Sequence, residues 1–541
     1  MSHLKPLVDN WLRLDPNPHT RKEIRDLWDA DNHEELDKRL SKRIEFGTAG
    51  LRGRMEGGWS RMNDLIIIQT SQGLAEYALQ QLHQATSRGV VIGYDHRHHS
   101  EEWAHITAKV FLTKGFKVHL LHGLNHTPLV PFSIKRLNAS CGVMITASHN
   151  PKQDNGYKVY WENAVQIIGP HDEGISTTIM NNLQPLPYST DDLTSFEFCV
   201  DLTEVLRKEY FDSLKALNIV HNPPNTFNIK FVNTSMHGVS DVFVNRAFTT
   251  FGFPPYVPVT EQQLPDPEFP TVRFPNPEEK GALDMALKTA DRLGADYVLA
   301  QDPDSDRFTA AEKSPEGWVL FKGDQLGTLF ADQVLQSYKS SGKPINQLAM
   351  VASTVSSKMI EAMAETEGFK FVECLTGFKF IGNTALQLVE KGYEVPFGYE
   401  EAIGYMFGSQ IRDKDGVAAT VSFVNLALSL RARGQTVNQH LQDLYSRYGY
   451  FETCNSYFTC NDPKVTDTIF SHIRNYQPEK GTNRLYPTTL ASLNITRVVD
   501  LTAGFDSGNP PEYKPSLPLS SGHMIQFRAG DDESHLVLTL R

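Results

Sequence analysis

The chain has 541 residues, of which 40% are hydrophobic and 21% charged, with a formal net charge of -12 and a pI near 5.9. This length is too great for one compact core and predicts three or four domains, and the composition is that of a folded rather than a disordered protein. Lys and Arg are dispersed and no apolar run is long enough to cross a bilayer, so neither a nucleic-acid partner nor a membrane partner is expected.

The N-terminal segment and the cysteines both favour a cytoplasmic protein. Residues 1–16 contain acidic side chains and a proline where a signal peptide needs an apolar stretch. The five cysteines are scattered and form no CxxC pair, which predicts reduced thiols and no zinc site. The apolar run Leu65–Ile68 has the length of a strand rather than of a membrane span.

Strand-like apolar runs alternate with helical patterns through most of the chain, which predicts α/β layers. The helical patterns include Trp103–Thr113 and Leu283–Leu293. Proline-rich stretches predict domain boundaries that give 1–201, 202–321, 322–450 and 451–541. No repeat is visible, although three consecutive α/β units of similar length would fit. The predicted strands are Val90–Gly93, Lys117–Leu121, Gly142–Ile145, Ile229–Val232, Tyr297–Ala300 and Met350–Ala352.

The first motif in chain order is EFGTAGLRGRM, Glu45–Met55, in which Thr48 and Arg52 stand among glycines. Backbone amides and an arginine in such a loop can form an anion-binding nest. The next motif, GYDHR, ends a predicted strand with Asp95 and Arg97. We interpret Arg97 as a structural ion-pair partner that supports the first loop.

The segment TASHNP, Thr146–Pro151, follows a predicted strand and contains Ser148 and His149. Loops at the carboxyl ends of strands are where α/β sheets bind ligands. A serine needs a base or a metal to become a nucleophile, and no GxSxG elbow is present, so an esterase is disfavoured. Lys158, in DNGYK, could neutralise phosphate, or act as an acid or base if burial or nearby cations lower its pKa. The alternatives are a polar turn and a solvated lysine.

The segment DPDSDR follows another predicted strand and places Asp302, Asp304 and Asp306 at alternate positions. Carboxylates that converge in this way suit Mg²⁺, which prefers oxygen ligands. A calcium loop of the EF-hand type would need glycine and glutamate at positions that Arg307 and Lys313 occupy. Arg307 is suited to stabilise a transferring phosphoryl group. The alternative is an acidic surface turn.

Two later glycine-rich segments could bind a sugar phosphate, although a plain turn is the alternative for both. LTGFKFIG carries Thr376, Gly377 and Lys379, which offer hydroxyl, backbone and ammonium donors. GYEEAIGYMFG carries Glu400, whose carboxylate can accept hydrogen bonds from sugar hydroxyls, and Lys414 follows in KDG.

Taken together and in this order, FGTAGLRG, TASHNP, DNGYK, DPDSDR, TGFK, GYEEAIG and KDG resemble the motifs of the phosphoglucomutase/phosphomannomutase superfamily. TASHNP and DPDSDR are specific as a pair, and the resemblance covers essentially the whole chain. EEAIGY, TGFKFIGN and FPNPEEKGALD are most similar to the eukaryotic phosphopentomutase branch, which includes fungal phosphoribomutases. The resemblance implies three related α/β domains around a central cleft and a smaller C-terminal α+β domain.

The resemblance also implies a mechanism. Ser148 would be a phosphoserine that exchanges its phosphoryl group with a sugar monophosphate through a sugar bisphosphate, and a bisphosphate such as glucose 1,6-bisphosphate would be the activator. Mg²⁺ would be bound by Asp302, Asp304, Asp306 and the Ser148 phosphate. The expected substrates are small phosphosugars, with ribose 1-phosphate and ribose 5-phosphate favoured over deoxyribose and glucose phosphates, and a monomer is expected.

The remaining roles implied by the resemblance concern protons and substrate. His149 and Lys158 would assist proton transfer. The residues expected to contact the substrate are Thr48, Arg52, Asp306, Arg307, Thr376, Gly377, Lys379, Glu400 and Lys414.

Two departures from the family pattern qualify this expectation. Ala402 stands where many glucose-type members have serine, which favours pentose phosphates because a missing hydrogen bond changes discrimination by about 1–3 kcal/mol. The family's C-terminal phosphate loop is absent after the predicted strand Leu536–Leu540, so we expect a truncated C-terminal domain with a weaker hold on substrate. The alternatives are a phosphoglucomutase, a glucose 1,6-bisphosphate synthase and a non-catalytic regulatory protein.

Overall fold

A computed structural model describes residues 3–47, 50–187, 193, 196–217, 229–456, 458, 460, 462–476, 486–520, 522–531 and 535–541. The chain forms two compact units. The first comprises Met1–Ala352, Lys358–Val372 and Gly377–Tyr450, and the second comprises Ser353–Ser357, Glu373–Thr376 and Phe451–Arg541. In the described residues no helix combines the length and the apolar character needed to traverse a bilayer. All five cysteines are free thiols, as expected.

The first unit opens with three helices that enclose a small core around the fully buried Trp11. A mixed sheet follows, in the order β1-β5-β4-β2-β3-β6, in which β2 is parallel to β3 and β4, and β5 is antiparallel to β4. The helices are α1 Leu4–Leu14, α2 Pro18–Asp29, α3 His33–Leu40, α4 Asp64–Gln81, α5 Ala85–Arg88, α6 Ser100–Thr113, α7 Leu129–Leu137 and α8 His171–Met180. The strands are β1 Gly50–Arg54, β2 Val90–Tyr94, β3 Val118–Leu120, β4 Cys141–Ile145, β5 Asp154–Tyr160 and β6 Cys199–Val200.

The second sheet has the order β11-β10-β9-β7-β8, with β7 parallel to β8 and β9, and β10 antiparallel to β9. Its strands are β7 Phe231–Thr234, β8 Val257–Pro258, β9 Tyr297–Gln301, β10 Phe308–Ser314 and β11 Gly317–Leu320. The helices of this region are α9 Thr203–Leu214, α10 Ser240–Phe251, α11 Thr260–Gln263 and α12 Asp284–Leu293.

The third sheet has the order β13-β12-β14-β15, with β14 parallel to β12 and antiparallel to β15. Its strands are β12 Leu348–Ser353, β13 Lys370–Cys374, β14 Glu394–Glu400 and β15 Gly404–Phe407. The helices are α13 Gly323–Ser340, α14 Met359–Glu367, α15 Phe378–Glu390, α16 Gly416–Arg431 and α17 Val437–Tyr448.

The second unit contains an antiparallel sheet and one further helix. Strand β17 pairs with β16, β18 and β19, and β19 pairs with β20. The elements are α18 Pro463–Arg474, β16 Thr489–Leu490, β17 Leu493–Asp500, β18 Phe505–Asp506, β19 Ile525–Gly530 and β20 His535–Leu540. Its core contains Phe470, Val498, Ile525 and Phe527.

The three α/β sheets share one strand order. In each, the first strand lies between the second and the third, and a fourth strand runs antiparallel beside the third: β3-β2-β4-β5, β8-β7-β9-β10 and β13-β12-β14-β15. The expected fold class, three related α/β domains with an added C-terminal domain of strands, is therefore confirmed.

The apolar run Leu65–Ile68, which was expected to be too short for a membrane span, is part of a helix. These residues lie in the first turns of α4, where Asn63 caps the helix by accepting from the Ile66 N–H and all four apolar side chains are fully buried. A short apolar run buried on every side has no periodicity that separates helix from strand. The strand predicted at Ile229–Val232 begins two residues later, at Phe231.

Candidate active site

The Ser148 loop begins directly after β4 and has an unusual backbone. Ser148 has a φ of 53°, and its N–H donates to Thr146 Oγ1 at 2.8 Å. A non-glycine residue in this left-handed region costs on the order of 1–3 kcal/mol, so the surrounding structure must impose it. Ser148 is also almost fully buried. The loop therefore holds one hydroxyl in a fixed position.

Arg97 supplies much of that support. Its side chain is 1% exposed and lies 3.7 Å from the carboxylate of Asp95. The guanidinium donates to four carbonyls of the following loop, those of Ser148, Asn150, Pro151 and Asp154, at 2.6–3.1 Å. The structural interpretation of Arg97 is thus correct, but the loop that it holds is the serine loop and not Glu45–Met55.

The aspartate loop follows β9 and curls back on itself. Asp302 Oδ1 accepts the N–H groups of Asp306 and Arg307 at 3.1 and 3.0 Å, and Ser305 turns the chain with a φ of 58°. One carboxylate oxygen each from Asp302, Asp304 and Asp306 lies within 4.8 Å of the others, and all three residues are buried. The predicted convergence of the three carboxylates is present in the structure.

The serine loop and the aspartate loop meet directly. Ser148 Oγ donates to Asp302 Oδ2 at 2.7 Å, and His149 Nδ1 lies 3.3 Å from the same Oγ. Burial, together with the charges of Arg307 and Arg52, holds the pKa of His149 well below its usual value. A neutral imidazole therefore lies beside the hydroxyl.

Two lysines balance the acidic cluster. Lys158 Nζ donates to Asp304 Oδ2 at 2.7 Å and to Asp306 Oδ2 at 3.0 Å, and Lys414 Nζ lies 3.2 Å from Asp306 Oδ2. Thr127 Oγ1 donates to Asp304 Oδ2 at 2.6 Å. The other oxygens, Asp304 Oδ1 and Asp306 Oδ1, are buried and have no hydrogen-bond partner.

Burial and neighbouring charges shift the pKa values of Asp302 and Lys158. Burial and the charges of Asp304 and Asp306 raise the pKa of Asp302 well above its usual value. Burial alone would lower the pKa of Lys158, but the two carboxylates outweigh it and raise that pKa. Lys158 was predicted to act as an acid or base if its pKa were lowered, and its pKa is raised instead. Lys158 is a buried ammonium, not a solvated lysine at a strand edge.

A further wall of the site comes from the third sheet. Glu400 ends β14, and its Oε1 lies 3.8 Å from Arg307 Nη2. The backbone of Arg307 pairs with Gly404 in an isolated bridge. A Cβ on Gly404 would lie 2.4 Å from Lys414 Cδ and 3.1 Å from Glu400 Oε1, so only glycine leaves room for both side chains. Burial raises the pKa of Glu400 despite the nearby Lys414 and Arg307.

The remaining residues predicted to bind substrate lie in different parts of the chain. Arg52 donates to Asn150 Oδ1 at 3.3 Å and so faces the serine loop. Gly377 and Lys379 begin α15, and burial lowers the pKa of Lys379 despite the opposing charges of Asp172 and Glu400. Thr376 belongs to the second compact unit. Thr48 lies outside the described residues.

Three residues at the site were not predicted from the sequence. Thr127 contacts Asp304 through both its hydroxyl and its N–H. The ring of Phe274 lies 6.1 Å from that of His149. Burial raises the pKa of Glu278 to about 7. The positive charge of Arg307 opposes this rise, and the negative charges of Glu401 and Glu400 add to it. Phe274 and Glu278 lie in FPNPEEKGALD, a segment that carries part of the family resemblance but was given no role at the site. Its two adjacent glutamates were the available signal for Glu278.

Comparison with known proteins agrees with this geometry. Three domains described as phosphoglucomutase/phosphomannomutase, alpha/beta/alpha domains I, II and III, match residues 43–185, 208–317 and 322–448, more than half of the chain. Phosphoribomutase of Saccharomyces cerevisiae is 43% identical over 100% of this chain and 90% of its own length. Human phosphopentomutase is 44% identical over 96% of this chain and 86% of its own. Human glucose 1,6-bisphosphate synthase is 40% identical, with 97% and 86% covered.

Proposed function

The chain belongs to the phosphoglucomutase/phosphomannomutase family, and we propose that it interconverts sugar 1-phosphates with 5- or 6-phosphates through a phosphoserine at Ser148. The single observation that carries this proposal is the contact of Ser148 Oγ with Asp302 Oδ2 at 2.7 Å, at the edge of three convergent carboxylates. A hydrolytic serine would instead need a base oriented by a third group. Here the serine contacts one of three convergent carboxylates that could bind a cation, which suits phosphoryl transfer.

We propose that Asp302, Asp304 and Asp306 bind Mg²⁺ together with the phosphate on Ser148. The residues fit this ion because Asp304 Oδ1 and Asp306 Oδ1 are buried without a hydrogen-bond partner, and hard carboxylate oxygens are what Mg²⁺ prefers. When bound, Mg²⁺ supplies Lewis-acid stabilisation of charge on the transferring phosphoryl group.

The transfer itself exchanges two bonds. The bond between phosphorus and Ser148 Oγ breaks as phosphorus bonds to a free hydroxyl oxygen of the sugar monophosphate, which gives a bisphosphate. That hydroxyl loses its proton, and Oγ gains one. His149 Nδ1, at 3.3 Å from Oγ, is placed to relay this proton, and the Lys158 ammonium offsets the negative charge of the aspartates. After the bisphosphate reorients, its other phosphate returns to Oγ by the reverse exchange.

Substrate recognition is proposed for the cationic and glutamate side chains around this cluster. Arg307 and Lys414 offset phosphate charge, and Arg52 reaches the cluster from the side of the serine loop. Glu400 accepts hydrogen bonds from sugar hydroxyls. Thr48, Thr376, Gly377 and Lys379 remain proposed phosphate or sugar contacts. A sugar bisphosphate is the proposed activator because it restores phosphate to Ser148. We also retain the proposed domains 1–201, 202–321, 322–450 and 451–541.

We propose pentose phosphates as the preferred substrates. Ala402 lacks the hydroxyl that glucose-type members carry, and relatives named phosphoribomutase and phosphopentomutase are 43% and 44% identical. A glucose 1,6-bisphosphate synthase is the second candidate, since a relative of that name is 40% identical over 97% of this chain. The two are separated by turnover of ribose 1-phosphate against formation of glucose bisphosphate from glucose 1-phosphate and a phosphoryl donor.

The decisive experiment follows phosphate on Ser148. After incubation with sugar bisphosphate, phosphopeptide analysis should find Ser148 phosphorylated, and Ser148→Ala should lack both the phosphate and ribose phosphate turnover. Ser140→Ala is the matched control, because the hydroxyl of this buried serine donates to the Ala85 carbonyl. Phosphate that is never found on Ser148, together with full turnover by Ser148→Ala, would reject the mechanism. Chelation of divalent cations should abolish turnover and addition of Mg²⁺ should restore it.

A further inference from the structure

A cavity of about 330 Å³ lies in the first unit away from the Ser148 cluster. It is lined by residues 43–46, by α4 and by the last turns of α8. Its walls include Ile44, Phe46, Leu51, Thr70 and Ile179. Leu51 and Arg52 are neighbours on β1, and successive side chains of a strand point to opposite faces. The cavity therefore lies on the face of β1 opposite to the one that carries Arg52.

Arg43 lines this cavity and lacks a counter-charge. Its Nη2 is buried with no hydrogen-bond partner, and no ion pair of Arg43 exists within the described part of the chain. The Trp59 ring, 6.0 Å from the guanidinium carbon, is its aromatic neighbour. Burial lowers the pKa of Arg43 to about 10. Arg39, on α3, differs sharply because it contacts the carboxylates of Glu23, Glu35 and Glu56.

Arg43 is partly buried, but its Nη2 is shielded from solvent and has no hydrogen-bond partner. A buried donor without an acceptor is costly and calls for an explanation such as a bound ion. A guanidinium binds a carboxylate through two parallel hydrogen bonds, which a single cation such as lysine cannot reproduce. The missing partner of Arg43 is therefore an anion with oxygen acceptors.

The rest of the lining defines the ligand further. Ile44, Phe46, Leu51 and Ile179 require an apolar body, and the volume lies at the lower end of the roughly 300–1,000 Å³ typical of small-molecule sites. Two features oppose a second negative charge: the acidic residue Glu45, which also lines the cavity, and the C-terminal end of α8, where the helix dipole is negative.

We propose that this cavity binds a small monocarboxylate with an apolar body, its carboxylate held by Arg43. This site is separate from the proposed phosphoryl transfer at Ser148 and does not depend on it.

The test is a titration with hexanoate at constant ionic strength, followed by the midpoint of thermal unfolding and by ligand-observed NMR. Hexanol and inorganic phosphate serve as comparisons, because one lacks the charge and the other the apolar body. We expect saturable hexanoate binding that Arg43→Gln weakens about tenfold or more, as expected for loss of a charge-assisted bidentate contact. Lys42→Gln removes the same charge one residue away, outside the cavity, and should leave binding unchanged.

Three outcomes would overturn the proposal: equal hexanoate affinity in Arg43→Gln and Lys42→Gln, hexanol binding as tight as hexanoate binding, or phosphate binding at Arg43 as tight as that of hexanoate. Ser176→Leu is an independent variant, because this half-buried serine lines the cavity from α8 and a leucine would fill it. Loss of hexanoate binding in Ser176→Leu supports the site even if Arg43→Gln fails to fold, and unchanged binding rejects it.

Discussion

At the scale of single residues, the acidic cluster depends on one lysine. Lys158 contacts both Asp304 and Asp306, and all three side chains are buried. Removing one partner of a buried ion pair leaves uncompensated charge and costs about 3–5 kcal/mol. We therefore expect Lys158→Gln to lower the free energy of unfolding by about that amount in chelator, as measured by urea unfolding at neutral pH.

The same substitution should increase the stabilisation given by Mg²⁺, because a divalent cation takes over the lost neutralisation. Lys152→Gln is the matched control, since Lys152 forms an exposed pair with Glu268 and such pairs contribute about 0–1 kcal/mol. If Mg²⁺ stabilised Lys158→Gln no more than the wild type, the three aspartates would not be the cation site.

The buried carboxyl of Asp15 predicts that the stability of the fold depends on pH. Asp15 is 2% exposed, and burial raises its pKa from 3.8 to about 6, although hydrogen bonds from Thr20 and from the Asn17 N–H oppose this. Between these two pH values the unfolded chain loses the proton while the folded chain keeps it. Unfolding therefore becomes easier as the pH rises through that window, and Asp15 stabilises the fold only below it.

Asp15→Asn has no such proton to lose. Relative to this variant, the wild type should lose on the order of 2–3 kcal/mol of stability between pH 4 and pH 7, and the difference should stay constant above about pH 7. Denaturant unfolding of both proteins across this range measures it. Asp9→Asn removes an exposed carboxyl from α1 and is the control. A difference that grows with pH in favour of the wild type would contradict the prediction.

At the scale of elements, the N-terminus of α16 fixes the aspartate loop. The Gly416 N–H donates to the Ser305 carbonyl at 3.1 Å. A Cβ at Gly416 would lie 2.5 Å from the Arg307 carbonyl oxygen and 2.8 Å from that of Ser305. Both neighbours are backbone atoms that cannot move without moving the loop. We expect Gly416→Ala to cost about 1–3 kcal/mol through overpacking and to weaken Mg²⁺ binding, as measured by calorimetric titration.

Gly522→Ala makes the same chemical change where a Cβ meets open space and the backbone needs no positive φ. It should leave both the stability and the Mg²⁺ affinity close to those of the wild type. If Gly416→Ala bound Mg²⁺ as tightly as Gly522→Ala, the packing of α16 would not position the aspartates.

Local sequence patterns predicted some features of this chain and not others. Alternate aspartates after an apolar strand predicted the convergent carboxylates, because a strand end and a tight loop leave few arrangements. No pattern revealed that Leu65–Ile68 is helical, because burial on all sides removes periodicity. Thr127 reaches the site through a long-range contact with Asp304, and no local pattern marks it. Lys158 was found, but its raised pKa depends on Asp304 and Asp306, which lie more than a hundred residues away along the chain.

At the scale of the whole molecule, the shared strand order explains how distant motifs meet. The third strand of each repeat, β4, β9 and β14, ends at a functional segment: the Ser148 loop, the aspartate loop and Glu400. Contacts join the first to the second through Ser148 and Asp302, and the second to the third through Arg307 and Glu400. Equivalent positions of three repeats thus contribute different chemistry to one cluster, although no repeat is visible in the sequence.

Because the serine, the aspartates and both lysines all belong to the first unit, Mg²⁺ binding should not require an intact second unit. Phe527 is buried in the core of the second unit, and Phe527→Ala should cost that unit about 3–5 kcal/mol. Phe308→Ala removes an equally buried ring from β10, directly after Arg307, and should weaken both the first unit and Mg²⁺ binding. Peptide-resolved hydrogen exchange locates the loss of stability, and calorimetric titration measures Mg²⁺ affinity. If Phe527→Ala weakened Mg²⁺ binding as much as Phe308→Ala, the aspartate cluster would depend on residues outside the first unit.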